Sequence, residues 1–262
     1  MTLPRVLREL VRSLGLDPAL PDACEAEAAA LVVDPGIDDP GLVDLTGLAF
    51  CTIDEPHSLD LDQALHVEPT VHGWRLHYAI ADAAWFVRPG TALFDEALRR
   101  GATCYIPGLV VPMLPRSLSE GLVSLNPDVD RRALVFDVDI HRDGSVRAHR
   151  LLRGRIHSRA KLSYDGVQAW LDGGGSETDD PDVLASLRAL VGLGQARLAE
   201  ARSRNVLVVR RAEVDVRLDG LRFVALDGAR NDVERYNEQV SLLCNILGAQ
   251  RLARSASSEV QG

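Results

Sequence analysis

Two periodicities divide this chain, and together they leave few folds open. Trp74, Leu76, Tyr78 and Ile80 alternate with Arg75, His77 and Ala79, and Leu134, Phe136, Val138 and Ile140 alternate with Val135, Asp137, Asp139 and His141. A period of two sends successive side chains to opposite faces of a strand, so both segments predict strands with one face in a core. Further on the period becomes helical. Val233, Tyr236, Val240, Leu243, Cys244 and Leu247 form an apolar stripe, and a long helix is expected from Asp182 to about Arg204. Arg142-Asp143-Gly144-Ser145 reads as a hairpin turn, as does Asp219-Gly220 between Val214–Leu218 and Leu221–Leu226. Strands early and helices late give an α+β class.

The first residues are set apart. Leu3, Val6, Leu7, Leu10, Val11 and Leu14 follow helical spacing, with Thr2 as N-cap and Gly15 as stop. A second helix is expected over Asp22–Val33, and the turn-rich Asp34–Gly41 follows it. This divides the chain into a helical N-terminal leader, residues 1–36, with a packing or capping role, and a main domain, residues 37–262. Within that domain a helix is expected over Ser163–Leu171, followed by a flexible loop from Gly173 to Pro181. The 262 residues are 46% hydrophobic, enough for a sizeable core. No apolar run approaches the ~18 residues of a membrane span, so no membrane partner is expected, and the N-terminus lacks the apolar stretch of a secretory signal. Cys24, Cys51, Cys104 and Cys244 are scattered without a CxxC pair and read as reduced thiols in a reducing cytoplasm.

Chemistry concentrates just after the apolar run Leu48–Ile53. Asp54, Asp60 and Asp62 fall within nine positions, and no lysine or arginine lies between Arg12 and Arg75. Carboxylates this close titrate abnormally unless a cation sits among them. Hard oxygen ligands at a strand-to-loop transition suit Mg²⁺. On spacing alone a solvated acidic loop is the commoner outcome. An EF-hand is disfavoured: counting from Asp60, Ala64, Leu65 and Val71 stand where oxygen, glycine and glutamate are required.

The net charge of −9 argues against a nucleic-acid partner, but its distribution answers part of that objection. From Ser145 to Tyr164 there is no acid, while Arg147, Arg150, Arg153, Arg155, Arg159 and Lys161 (the only lysine of the chain) are joined by His149 and His157. On an extended strand Arg153, Arg155, His157 and Arg159 share one face. That face is either simply solvated or, with Tyr164 beside it, tracks a single-stranded backbone while an aromatic stacks a base.

The ordered motifs Asp44-Leu-Thr-Gly-Leu-Ala-Phe-Cys-Thr-Ile-Asp54, Ser58-Leu-Asp60-Leu-Asp62, Tyr78-Ala-Ile-Ala-Asp82, Val87-Arg-Pro-Gly90, Tyr105-Ile-Pro107, Val111-Pro-Met-Leu-Pro115, Leu122-Val-Ser-Leu-Asn126 and Ser158-Arg-Ala-Lys-Leu-Ser-Tyr164 resemble the RNB catalytic domain of the ribonuclease II and ribonuclease R exoribonucleases. The resemblance implies an RNB-type fold of mixed and antiparallel strands with flanking helices, incomplete at its C-terminus, because the family domain continues past Gly262. The arginines that clamp the terminal phosphates and a closing RNA-binding barrel would lie in that missing C-terminal portion. Asp54, Asp60 and Asp62 match three of the family's four catalytic-site aspartates and are the expected metal ligands. Gln63 stands where the fourth belongs; its neutral carbonyl can hold a metal-bound water but grips an ion less well. Tyr105 matches the tyrosine that stacks the terminal base, Tyr164 a second tyrosine near the RNA path, and Glu238 a glutamate lining the channel. Arg153, Arg155, Arg159 and Lys161 join them as candidate RNA contacts.

The function these implications give is 3′→5′ hydrolysis of single-stranded RNA, not DNA, to 5′-mononucleotides, with Mg²⁺, or Mn²⁺ in its place, in a two-metal arrangement. Three alternatives stand beside it. One is an RNA-binding module with impaired catalysis, to which Gln63 and the missing portion point; the second is a structural fragment without an RNA role. The third is a magnesium-dependent phosphatase, which would need neither the basic strand nor the stacking tyrosines.

Overall fold

Both alternating segments form strands, and what surrounds them follows from how the longest strand is shared. In a computed structural model, which describes residues 5–206, 214–219, 222–227 and 230–259, the elements run α1 (Arg5–Ser13), α2 (Asp22–Val33), β1 (Val43–Asp44), β2 (Phe50–Asp54), β3 (Gln63–Pro69), β4 (Gly73–Ala81), α3 (Ala83–Phe86), α4 (Ala92–Arg100), β5 (Cys104–Ile106), β6 (Leu109–Val111), a π-helical turn (Ser117–Leu122), β7 (Asp130–His141), β8 (Val146–Ser163), α5 (Tyr164–Leu171), α6 (Pro181–Ser203), β9 (Val214–Asp219), β10 (Arg222–Asp227) and α7 (Asp232–Glu259). Thr2, the expected first cap, and Gly220 of the expected second turn lie outside the described residues. The strands flanking that turn do pair, Arg222 against Asp219.

The chain forms two compact units. One gathers residues 1–36, 82–124 and 209–229, the other residues 37–81, 125–208 and 230–262. In the first, α1 ends where the sequence predicts: Gly15 takes φ +65°, a left-handed conformation glycine adopts without strain. The leader's second helix has a capping role. Glu27 on α2 accepts the Ala92 and Leu93 amides, each at 2.9 Å, and so places a carboxylate on two orphan donors at the positive end of α4.

In the second unit β8 does two jobs. Its first half pairs antiparallel with β7 (Phe136 opposite Leu151), and its second half pairs parallel with β2 (Ile53 opposite Leu162). With β2–β3, β3–β4 and β4–β7 all antiparallel, the strands β2-β3-β4-β7-β8 close into a ring. Closure explains why both parities of the alternation are buried. One set, including Ile53, Leu65, Tyr78, Phe136 and Leu162, packs against Val183, Leu187, Leu190 and Leu193 of α6 and Val240, Leu243 and Leu247 of α7. The other, including Phe50, Ala64, His77, Ala79, Val135 and Asp137, is enclosed by the ring itself.

The helices are fixed by specific polar contacts. Asp180 caps α6 by accepting from the Asp182 and Val183 amides, with Pro181 in the first turn, where its missing N–H costs nothing. Ser186 of α6 accepts the Val67 amide at 2.8 Å. Gly194 lets α6 approach α7, since a Cβ there would lie 2.4 Å from Tyr236. The loop after α5 has an anchor that composition did not reveal: Glu177 accepts both the Ser163 amide (2.6 Å) and hydroxyl (2.8 Å).

Candidate active site

The parallel pairing of β2 with β8 puts the ends of both strands side by side, with Asp54 opposite Ser163. Ser163 accepts from the Gly166 amide as N-cap of α5, so Tyr164 is the first residue of that helix. The strand ends and the helix start therefore bring the first predicted aspartate, Tyr164 and Glu177 into one neighbourhood.

From Asp54 the chain leaves the sheet in a short loop and re-enters it at Gln63, and each end of that loop is pinned. Asp54 Oδ1 accepts the Glu55 amide at 2.7 Å and the Ser58 hydroxyl at 3.0 Å. Leu61 is fully buried and its carbonyl accepts the Leu125 amide, while the Asp62 carbonyl accepts the Ala81 amide. A buried Leu61 between Asp60 and Asp62 directs the two flanking carboxylates away from the core. Lys161 clamps the middle: its Nζ donates to the carbonyls of Pro56 (3.1 Å) and Ser58.

The electrostatics of the loop are unbalanced. The Asp62 carboxyl is pushed above the usual carboxylate range, first by burial and then by Asp60 and Asp54. Asp62 is exposed as a residue, although protein packs about its carboxyl. Tyr164's phenol is pushed up by burial and by the charge of Asp54, and its oxygen accepts from Asn237 Nδ2 at 2.9 Å. Gln63 Oε1 accepts a hydrogen bond from the buried Tyr78 hydroxyl.

Hard oxygens that repel one another are the donor chemistry a divalent cation relieves, and in that respect the three aspartates fit one. They are not gathered into a finished ligand set: among the described residues no group of three His, Cys, Asp or Glu side chains is arranged to hold a metal ion.

The other expected contacts sort differently. Tyr105 is on β5 in the first unit and is 66% exposed. The basic row does occupy one face of β8, with Arg155, His157, Arg159 and Lys161 half-buried between buried neighbours. Most of it is engaged within the protein. Arg155 pairs with Asp44 at 2.9 Å, and His157 meets Asp130 at 2.8 Å. Arg159 reaches Asp182 (3.2 Å), Asp180 (3.4 Å) and the Gly47 carbonyl (2.9 Å). Arg153 is exposed. Glu238, also exposed, pairs with Arg230 at 2.8 Å. Sequence reasoning missed Tyr78, Glu177 and Asn237. Asn237 lies on α7 and reads as ordinary polar surface until the fold is known.

Comparison with known proteins places this geometry. Ribonuclease R of Vibrio cholerae is 41% identical over 155 residues, covering 58% of this chain and 19% of that protein. Ribonuclease R of Acidithiobacillus ferrooxidans is 38% identical over 196 residues, covering 74% of this chain and 44% of its own length. The solved structure of Mycoplasma genitalium RNase R in complex with double-stranded RNA superposes with a TM-score of 0.89 at 28% identity, over 95% of this chain and 45% of that one. The chain thus spans less than half the length of these relatives. The RNB domain model matches residues 42–259, which takes in the acidic loop, the closed ring and both packing helices, and the chain belongs to the RNB domain family.

Proposed function

We propose that this chain carries the acidic centre of a 3′→5′ exoribonuclease, hydrolysing single-stranded RNA to 5′-mononucleotides with Mg²⁺ or Mn²⁺. One observation carries the reading: three aspartates on a pinned loop, the carboxyl of one raised by burial and then by the other two, at the strand ends of an RNB domain. Mycoplasma genitalium RNase R was solved both with double-stranded RNA and with ribose-methylated single-stranded RNA, which supports RNA as the substrate here.

Asp54, Asp60 and Asp62 would hold the divalent ions, whose chemistry is to lower the pKa of a water and to offset charge growing on the phosphate. The protein's own part is positioning. Lys161 and Ser58 fix the loop that carries the carboxylates. Tyr164 stands beside Asp54, and Arg153 on β8 would supply a cation; Tyr105, in the other unit, is the residue proposed to stack a base. The four free cysteines, three of them buried, suit a reducing cytoplasm.

The test is incubation of the 262-residue chain with 3′-labelled single-stranded RNA and Mg²⁺. Release of the labelled terminal mononucleotide in the first cut, followed by progressive shortening of the strand, is expected. A second reading, an RNA-binding module without catalysis, is favoured by Gln63's engagement with Tyr78 and by the unfinished ligand set. It predicts RNA retained and left intact.

A further inference from the structure

We infer that Tyr78 tethers Gln63 so that its carboxamide oxygen is withheld from a divalent ion, leaving the acidic loop to grip metal with its three aspartates alone. This rests on the reading of Asp54, Asp60 and Asp62 as the metal-holding set.

The argument begins with register. Gln63 opens β3 two residues before Leu65, so both side chains project to the same face, and Leu65 is paired with Tyr78. Tyr78 is therefore the diagonal neighbour of Gln63, within reach of a long aromatic side chain. Tyr78 is 1% exposed, and a buried phenol must find partners for its hydroxyl. Its single proton is donated to Gln63 Oε1, which gives the phenolic proton a fixed direction.

That direction decides what Gln63 offers. A glutamine has one acceptor oxygen and an NH₂ group that only donates. With the oxygen turned to Tyr78, the amide nitrogen is the free lobe, and a nitrogen carrying two protons cannot ligate a cation. Mg²⁺ tolerates little departure from octahedral oxygen geometry, so a carbonyl aimed at a buried phenol is a poor ligand. The acidic loop keeps three carboxylates, with a neutral donor beside Asp62.

Manganese titration followed by the electron paramagnetic resonance signal of free Mn²⁺ tests this without any turnover. Gln63→Met removes the carbonyl at similar length and is expected to leave Mn²⁺ affinity within about twofold of wild type. Gln63→Glu keeps an acceptor for Tyr78 but adds a charge, and should raise affinity about tenfold. Tyr78→Phe releases the carbonyl and should raise affinity about threefold, an effect that disappears in a Gln63→Ala background. If Tyr78→Phe folds poorly, Gln63→Met still decides, because residue 63 is exposed. A tenfold loss of affinity in Gln63→Met, or a Tyr78→Phe effect that persists in Gln63→Ala, overturns the tether while leaving the metal reading standing. Absence of Mn²⁺ binding by wild type at millimolar concentration removes both.

Discussion

The same ring of strands treats its carboxylates in opposite ways. Asp137 on β7 is enclosed, yet burial is outweighed: Arg75 donates to both its oxygens at 2.8 and 2.9 Å, Arg150 adds a third bond at 2.7 Å, and its carboxyl falls to about 2. His77 stands 3.4 Å away on the neighbouring strand. At the strand ends Asp62 meets burial and two further acids, and its carboxyl rises. An acid whose neighbours neutralise it belongs to the scaffold. Acids held together against their own repulsion need a ligand to make sense of them.

Asp62→Asn gives the widest separation between the two regions. Cleavage of labelled RNA should fall on the order of 10³-fold, while retention of RNA on a filter stays near wild type. Stability moves the other way: one of three mutually repelling charges is gone, so the metal-free variant should unfold at the same temperature as wild type or higher. Full activity in this variant would remove Asp62 from the chemistry.

Asp137→Asn should do the reverse. Charge-assisted hydrogen bonds to a buried carboxylate are lost, costing about 2–3 kcal/mol by denaturant unfolding, with Mn²⁺ affinity unchanged. An unaltered unfolding midpoint would mean that the arginines find equivalent partners elsewhere.

The pH dependence sharpens the contrast. Asp137's folded value lies below its ordinary 3.8, so its contribution is present above pH 3.8 and is lost as pH falls toward about 2. Asp62's folded value lies above 3.8, so its contribution is present in acid and is lost as pH rises through that folded value. His77 is held by burial below its ordinary 6.5, so the unfolded chain takes up that proton first and stability declines as pH drops below 6.5. Thermal melts with and without Mg²⁺ should therefore show a cation-dependent gain that grows from pH 4 to 7. A gain independent of pH would disconnect the ion from the carboxylates.

How much of this was legible depends on whether the information is local. Alternation at Trp74–Ile80 and Leu134–Ile140 and the α7 stripe are written in neighbouring residues; β4 follows its segment to within a residue, while β7 starts earlier, at Asp130, and α7 runs on to Glu259. The acidic triplet was legible as a cluster, because its members are within nine positions. What β8 does was not. Its arginines read as an exposed row, but Arg155 and Arg159 meet Asp44 and Asp182 only because the ring closes. Glu177 looked like part of a featureless Gly-rich loop, and its grip on Ser163 depends on where α5 begins. Contacts between residues far apart in the chain carry no periodic signal, so Tyr78 and Asn237 appear beside the site only after folding.

Lys161 joins the two regions and makes the smallest of these effects. Lys161 reaches into the acidic loop and there holds two backbone carbonyls, of Pro56 and Ser58. Its ammonium thus shapes the loop. Lys161→Met keeps the apolar stem and removes those bonds, so the loop should open locally at a cost of about 1 kcal/mol, seen as faster amide exchange at residues 55–62, with the global unfolding midpoint barely moved. Arginine in its place would restore donors and recover most of the protection. If exchange accelerates across the whole ring instead, Lys161 supports the fold as Asp137 does, and the division between scaffold charges and site charges would have to be drawn elsewhere.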